Sequence, residues 1–270
     1  IAIGCDAMAA GVLTGVNNIA LGCMAGRKVT SGNNNTFLGQ YAGGNLTTGC
    51  SNFIAGQSAG GSGTLTGTHN ILLGDCSGKV LTSGTNNVFL GRTTGRCVSS
   101  TSNNVHIGNL AGRYSEGGYN ILFGKCAGYG VDGGTNNASA NVFIGENAGK
   151  VVDTGCDNLG LGAESGSSLT SGGCNTLVGH RSGCLITTGG HNVVIGRLTQ
   201  PPIINGSYQL AIGSGFERKP WIVGDCDYNV GIGQTIPTAA VGVGNTAVLA
   251  VGIVSAYQLY GDGSNITGLS

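Results

Sequence analysis

"NNTFLGQYAGGNLTTG" (residues 34–49) is the stretch that decides the fold, because the chain contains it several times with small changes. "HNILLGDCSGKVLTSG" stands at 69–84 and "CNTLVGHRSGCLITTG" at 174–189. The glycine that closes each apolar triplet recurs at a spacing of mostly 17 residues, with 16, 18, 20 and 21 as exceptions. A fixed period of this size is typical of a solenoid in which each repeat forms one coil.

We number the positions of each repeat from this glycine, the anchor. Fourteen anchors between Gly4 and Gly233 predict an all-β fold, a β-solenoid (β-roll) of about fourteen 17-residue coils. The apolar triplet at −3 to −1 is expected to form a short strand. Two buried apolar side chains contribute roughly 3–6 kcal/mol, whereas ordering 17 residues costs on the order of 17–34 kcal/mol. A coil therefore needs its neighbours, and strands ~4.8 Å apart give a rod of roughly 65 Å.

Asparagine occupies position −4 in almost every repeat, and Gln209 is the exception between Gly4 and Gly233. Stacked asparagine side chains can hydrogen-bond to the residues above and below them, which predicts a ladder along the rod. Asparagine also favours a turn before a strand, and that simpler interpretation stays open. The predicted ladder comprises Asn18, Asn35, Asn52, Asn70, Asn87, Asn104, Asn120, Asn141, Asn158, Asn175 and Asn192.

Glycine recurs at the anchor and again at position +4, where we expect the coil to turn with positive φ. The predicted turn glycines include Gly22, Gly39, Gly56, Gly74, Gly91 and Gly108. A second apolar column follows and runs into "TSG" or "TTG", as in Leu46 and Leu81. This column predicts a second short strand on the far side of each coil.

Position −2 is apolar in most repeats, although it faces away from −1 and −3 in a strand. A strand with one face in solvent normally alternates, so an apolar row on the outside of the rod predicts a partner. We expect a parallel homotrimer; the alternative is a thick coil that buries both strand faces within one chain. The candidate oligomer contacts are Phe37, Ile54, Leu72, Phe89, Leu122, Phe143 and Leu177.

Composition and charge argue against several classes of function. The 12 basic and 12 acidic residues balance, whereas a nucleic-acid binder needs a basic face. The sequence contains no run of 18 apolar residues, so it does not predict membrane insertion. The few acids do not recur in pairs, and no His–Asp pair is placed beside a serine. We therefore expect no enzyme activity, no catalytic residue, no metal site and no cofactor.

Ten cysteines are present without a C-x-x-C motif, and the four histidines are scattered. Cys5 and Cys23 follow anchors in neighbouring coils. Their expected Cα–Cα distance would allow a disulfide, but their side chains would point the same way, which is unfavourable geometry for the bond. Free, partly buried thiols are the expectation. "GDGSN" near the C-terminus reads as a turn, since one Asp is too little for Ca²⁺. The Thr rows do not form the flat two-Thr array of an ice-binding solenoid.

The repeat loosens after residue 200, where Pro201 and Pro202 interrupt a coil. We divide the chain into a glycine-rich solenoid shaft, 1–215, and a connector to a further C-terminal element, 216–270.

These motifs carry a resemblance. "NNTFLGQYAGGNLTTG" resembles the glycine-rich repeats of tail fibres and other fibrous virion proteins of tailed phages, especially marine cyanophages. "KPWIVGDCDYNVGIGQTIPTAAV" and "YGDGSNITGLS" are similar to the segment that follows such repeats. More distantly, "AIGCDAMAAG" resembles the β-roll heads of trimeric autotransporter adhesins, whose coils are shorter. Ten cysteines depart from the phage-fibre pattern.

The resemblance implies a homotrimer in the virion that acts as a rigid spacer in host attachment. Its partners would be other copies of the chain, other virion proteins and, through a distal part, a host surface receptor. The alternative function is a bacterial surface adhesin head that binds a ligand directly.

Overall fold

The computed structural model describes residues 1–9, 13–214, 220–227, 229–232 and the strand Leu249–Val251. This part of the chain is all-β: sixteen short strands form one sheet in sequence order, and no helix occurs among the described residues. The strands are β1 (Ala2–Ile3), β2 (Ile19–Leu21), β3 (Thr36–Leu38), β4 (Phe53–Ala55), β5 (Ile71–Leu73), β6 (Val88–Leu90), β7 (Val105–Ile107), β8 (Ile121–Phe123), β9 (Val142–Ile144), β10 (Leu159–Leu161), β11 (Thr176–Val178), β12 (Val193–Ile195), β13 (Leu210–Ile212), β14 (Ile222–Gly224), β15 (Val230–Ile232) and β16 (Leu249–Val251).

Strands β1 to β13 form a parallel stack in which each pairs with the triplet of the next repeat. The register is that of the repeat: Phe37 lies opposite Ile54, and Ile121 opposite Val142 despite a 21-residue spacing. The β-solenoid prediction is confirmed, with about twelve turns. The predicted number of fourteen was too high, because β14 runs antiparallel to both β13 and β15.

The core contains the side chains at position −2, and their burial corrects the prediction for that position. Phe37, Ile54, Leu72, Phe89, Leu122, Phe143 and Leu177 are at most 1% exposed, so they point into the coil rather than out of it. The middle residue of a three-residue strand faces opposite to its two neighbours. Once −2 points inward, −3 and −1 must therefore point outward.

The second apolar column is buried but does not form a strand. Leu46, Leu81 and Leu169 are fully buried opposite the −2 row, within segments assigned as turns and bends. Small residues at +3, such as Ala42 and Ala59, complete the core. The predicted second strand is wrong: backbone hydrogen bonds such as Thr30 N–H to Thr47 O join successive coils on this side, but the backbone there forms turns and bends rather than an extended run. The solenoid therefore has one sheet face and a turn-built remainder.

The anchor glycines allow adjacent coils to approach closely. Gly74 has φ +132°, in the region that favours glycine, and a Cβ built there would lie 2.5 Å from the Gly91 carbonyl oxygen. The other five predicted turn glycines also have φ between +120° and +137°. The predicted need for glycine at this corner is confirmed, and it has two causes, dihedral angle and backbone contact.

The asparagine ladder is present and buried. The Asn18 side-chain oxygen accepts hydrogen bonds from the Asn35 backbone N–H at 2.9 Å and from Asn35 Nδ2 at 3.1 Å. Asn35 Nδ2 also donates to the Gly49 carbonyl oxygen at 2.8 Å. The pattern repeats along the stack, except that Asn120 and Asn192 donate to the preceding asparagine only through their backbone N–H. Because each amide is satisfied, the ladder stabilises the register of the coils.

A second polar column at −6 explains two of the cysteines. Its side chains accept the backbone N–H of the preceding coil: Ser102 Oγ accepts from Thr85, and Cys50 Sγ accepts from Asn33 at 3.3 Å. Cys156 accepts in the same way from Ser139. These thiols replace serine or asparagine as acceptors. All ten cysteines are free in the structure, including Cys5 and Cys23, which were considered for a disulfide.

The boundary predicted at residue 215 lies within 215–219, outside the described residues. The described strand β13 ends the parallel stack just before it, and β14 and β15 follow in the predicted connector. The segment "GDGSN", which we interpret as an ordinary turn rather than a Ca²⁺ site, also lies outside the described residues.

Candidate self-association surface

The outer face of the sheet is an apolar strip that runs along the stack. We call it the outer stripe, and it consists of the side chains at positions −3 and −1 of the parallel strands. Eleven of its large apolar side chains are 36–52% exposed. They are Ile19, Leu21, Phe53, Ile71, Leu73, Leu90, Ile121, Phe123, Ile144, Val193 and Ile195. The stripe exists because the triplets are apolar at all three positions, while only the middle one fits inside the coil.

The stripe is a sizeable apolar surface. An aromatic side chain offers roughly 150–250 Å², and a Val, Leu or Ile side chain roughly 60–120 Å², from about 1.5–3 kcal/mol at about 25 cal/mol per Å². The two aromatic and nine aliphatic residues, at about two-fifths exposure, therefore leave on the order of 350–650 Å² of apolar surface. The largest patch of a typical monomer is about 300–600 Å² and is often functional. The stripe is therefore of the size at which an apolar patch often has a function.

Charge is absent from the stripe and present beside it. Strands β2 to β13 contain no charged residue, and the polar members of the outer face are Thr36 and Thr176. Ion pairs join successive coils just past the anchors: Lys125 Nζ lies 2.9 Å from Glu146, and Arg92 Nε lies 3.7 Å from Asp75. Glu146 raises the pKa of Lys125. An apolar centre with a polar rim is the usual organisation of an interface.

Sequence reasoning missed these residues because it assigned the strand faces in reverse. The seven predicted oligomer contacts share one row in the structure, but this row is the core and they do not reach the surface. Three consecutive apolar positions carry no alternation from which to choose the inner face. The two threonines at −3, in β3 and β11, were the available signal, since threonine is mostly exposed.

One core position carries an ionisable side chain. His106 takes the −2 place of β7, is fully buried and stacks on Phe89 with ring centroids 4.7 Å apart. Its two ring nitrogens have no hydrogen-bond partner. Burial lowers the pKa of His106 from 6.5 to about 3, because the charged form would lose its hydration. The residue is a neutral core element at physiological pH.

The described residues contain no group of three or more His, Cys, Asp or Glu side chains that could hold a metal ion. Burial raises the pKa of the Cys76 thiol, and Asp6 raises that of Cys5, which disfavours reactive thiolates at both sites. Among the residues that the structure covers, no helix is long and apolar enough to cross a membrane.

Comparison of the chain with family models, with curated proteins and with solved structures finds no match in any of the three. Function is therefore argued from the geometry and from the sequence resemblance.

Proposed function

We propose that the chain is the shaft of a fibrous virion protein, a rigid spacer in host attachment that works as a homotrimer. The observation that carries this proposal is the outer stripe on an unbroken stack of thirteen parallel strands. About twelve turns at ~4.8 Å each give a length of roughly 58 Å. A stack of this kind would span a distance as a stiff rod. The resemblance of its repeats to phage fibres is the reason for proposing the virion as its location.

The stripe supports self-association in parallel. A partner that covers it along its length has to present apolar side chains at the same axial spacing, and another copy of the chain does so coil for coil. The −3 column of one copy would pack on the −1 column of the next. Three copies would close this head-to-tail contact around an axis parallel to the rod.

Burial of the stripe supplies the favourable term for assembly, because apolar surface removed from water stabilises a complex at about 25 cal/mol per Å² before the costs of association are subtracted. Other virion proteins, and a receptor reached through a distal part, complete the proposed set of partners, without nucleic acid or membrane insertion.

The test compares two variants with equal exposure on different faces. Leu73 on the stripe and Tyr41 on a turn are both 38% exposed. We expect the parent chain to have about three times the 26.7 kDa monomer mass by light scattering. Leu73→Asp is expected to yield monomers or aggregates, whereas Tyr41→Asp keeps the trimer. A folded monomeric parent would contradict the assembly, and antibody labelling of cells but not of virions would contradict the placement.

A further inference from the structure

A cleft of about 380 Å³ opens where the parallel stack ends, between β12–β13 and the antiparallel strands β14 and β15. The lining includes the His191 and Tyr208 rings, the apolar side chains of Leu210 and Val230, and the polar side chains of Asp225 and Asn229. The volume falls within the range of small-molecule sites, about 300–1,000 Å³. Neither the stripe nor the shaft proposal uses this cleft.

The aromatic wall is a fixed platform. The Tyr208 ring lies parallel to the His191 ring, with centroids 4.6 Å apart and an interplanar angle of 3°. The Tyr208 backbone is held at φ +59° by its N–H bond to the Gly190 carbonyl oxygen at 3.0 Å. One face of the Tyr208 ring is covered by His191, yet the residue is 62% exposed. Its other face and its edge therefore remain open to a ligand.

The lining of the cleft also includes a carboxylate whose orientation is fixed by hydrogen bonds. Asp225 Oδ1 accepts the backbone N–H groups of Asp227 and Asn229, both at 3.0 Å, and Oδ2 accepts Asn229 Nδ2 at 2.9 Å. A carboxylate has about four acceptor positions. These contacts use three of them, so one acceptor position on Oδ2 is left, and the half-buried Asp225 lines the cleft.

We infer that this cleft binds a neutral saccharide. A pyranose ring has one face of C–H groups, which stacks on a flat aromatic ring, and a rim of hydroxyl donors, which suits a carboxylate acceptor held a short distance away. Both groups line this cleft: the open ring face of Tyr208 and the carboxylate of Asp225. Leu210 and Val230 add apolar surface to the lining.

Other ligand classes fit less well. The cleft has no Lys or Arg among its described lining residues, so phosphates and other anions find no counter-charge beside Asp225. A quaternary ammonium ligand is attracted to ring faces, but recognition of such ions uses a cage of aromatic walls. The described lining residues offer two rings stacked on each other and no such cage.

The experiment uses tyrosine nitration of the parent chain by tetranitromethane, read at each site by peptide mass spectrometry. Tyr119 is the matched control: it stands in the same −5 column, has φ +61°, is 68% exposed and does not line the cleft. The probes are methyl glucoside, methyl galactoside and N-acetylglucosamine, each added separately. We expect at least one of them to protect Tyr208 from nitration with saturable dependence and to leave Tyr119 unprotected.

Saturation-transfer NMR with the same sugars then tests the platform. Tyr208→Ala is expected to weaken binding about tenfold, whereas Tyr119→Ala and Tyr208→Phe retain it. Protection of neither tyrosine by any of the three sugars, or equal protection of both, would overturn the inference. So would protection of Tyr208 by tetramethylammonium without protection by a sugar. The nitration assay needs no variant, so misfolding of Tyr208→Ala does not obscure the result.

Discussion

Replacing His106 with leucine is expected to stabilise the solenoid. In the −2 row His106 lies between Phe89, on which it stacks, and Leu122, its partner in β8, and it is fully buried with two unpartnered ring nitrogens. A buried polar group without a hydrogen bond costs about 1–3 kcal/mol. Leucine fills the same row in other coils, as at Leu72 and Leu177. We therefore expect His106→Leu to raise the free energy of unfolding at neutral pH by about 1–3 kcal/mol.

The advantage of leucine grows as the pH falls. The pKa of His106 is lowered from 6.5 to about 3 in the fold, so below pH 6.5 the unfolded chain takes up a proton that the folded chain refuses. The parent therefore keeps its full stability above pH 6.5 and loses stability as the pH falls towards 3. Each pH unit in this window costs about 1.4 kcal/mol, or on the order of 5 kcal/mol across it.

The assay is urea unfolding of parent and variant at equal chain concentration, at neutral pH and at steps down to pH 4. The difference between the two curves cancels the titration of carboxylates that both proteins share. His180→Leu, which removes an exposed histidine, serves as the control for the loss of an imidazole outside the core. If the gap between parent and His106→Leu stayed constant from neutral to acidic pH, the assignment of a neutral, desolvated imidazole would be refuted.

Two further predictions concern the repeat. Deletion of residues 35–51 removes one coil and lets Asn18 bond to Asn52, so this variant is expected to melt near the parent and to be about 4.8 Å shorter by small-angle scattering. Deletion of residues 35–42 removes β3 without closing a coil, so this variant is expected to unfold at a lower temperature. Equal melting temperatures of the two variants would contradict one coil per repeat. Gly74→Ala places a Cβ 2.5 Å from the Gly91 carbonyl oxygen at φ +132° and is expected to lower the free energy of unfolding, measured by denaturant titration, by about 3 kcal/mol or more. The control Gly133→Ala, also at positive φ but with nothing within 4 Å of the new Cβ, is expected to lower it by about 1 kcal/mol. Similar losses in both variants would show that backbone contact between anchors is unimportant.

The features that recur in every coil were the predictable ones. The 17-residue period, the ladder from Asn18 to Asn192 and the glycine corners each depend on contacts between equivalent positions of neighbouring coils. A column in the sequence is then a row in space, so residue type alone indicates the interaction. A buried row of asparagines can satisfy its amides within the row, which is why the ladder could be predicted without knowledge of the cross-section.

The features that depend on the cross-section were not predictable. The triplet "ILL" in β5 carries no alternation to show whether Leu72 or its neighbours face inward, and the core width decides that question. The second apolar column lacks a strand because the backbone on that side turns and bends within each coil, which residue type alone does not show. The cleft depends on the reversal of β14, which brings Asp225 near Tyr208, and the sequence gives no pairing direction for that strand.

Because every coil contributes the same set of core side chains, the length of the stack can change by whole coils. Leu72 packs within its own coil and against the coils on either side, so no residue of the stack requires a partner at the far end. Duplication or loss of a coil in the gene would alter the reach of the shaft while every remaining contact kept its counterpart. Selection can therefore adjust the distance that the shaft spans in steps of one coil, separately from any change in the chemistry of its surface.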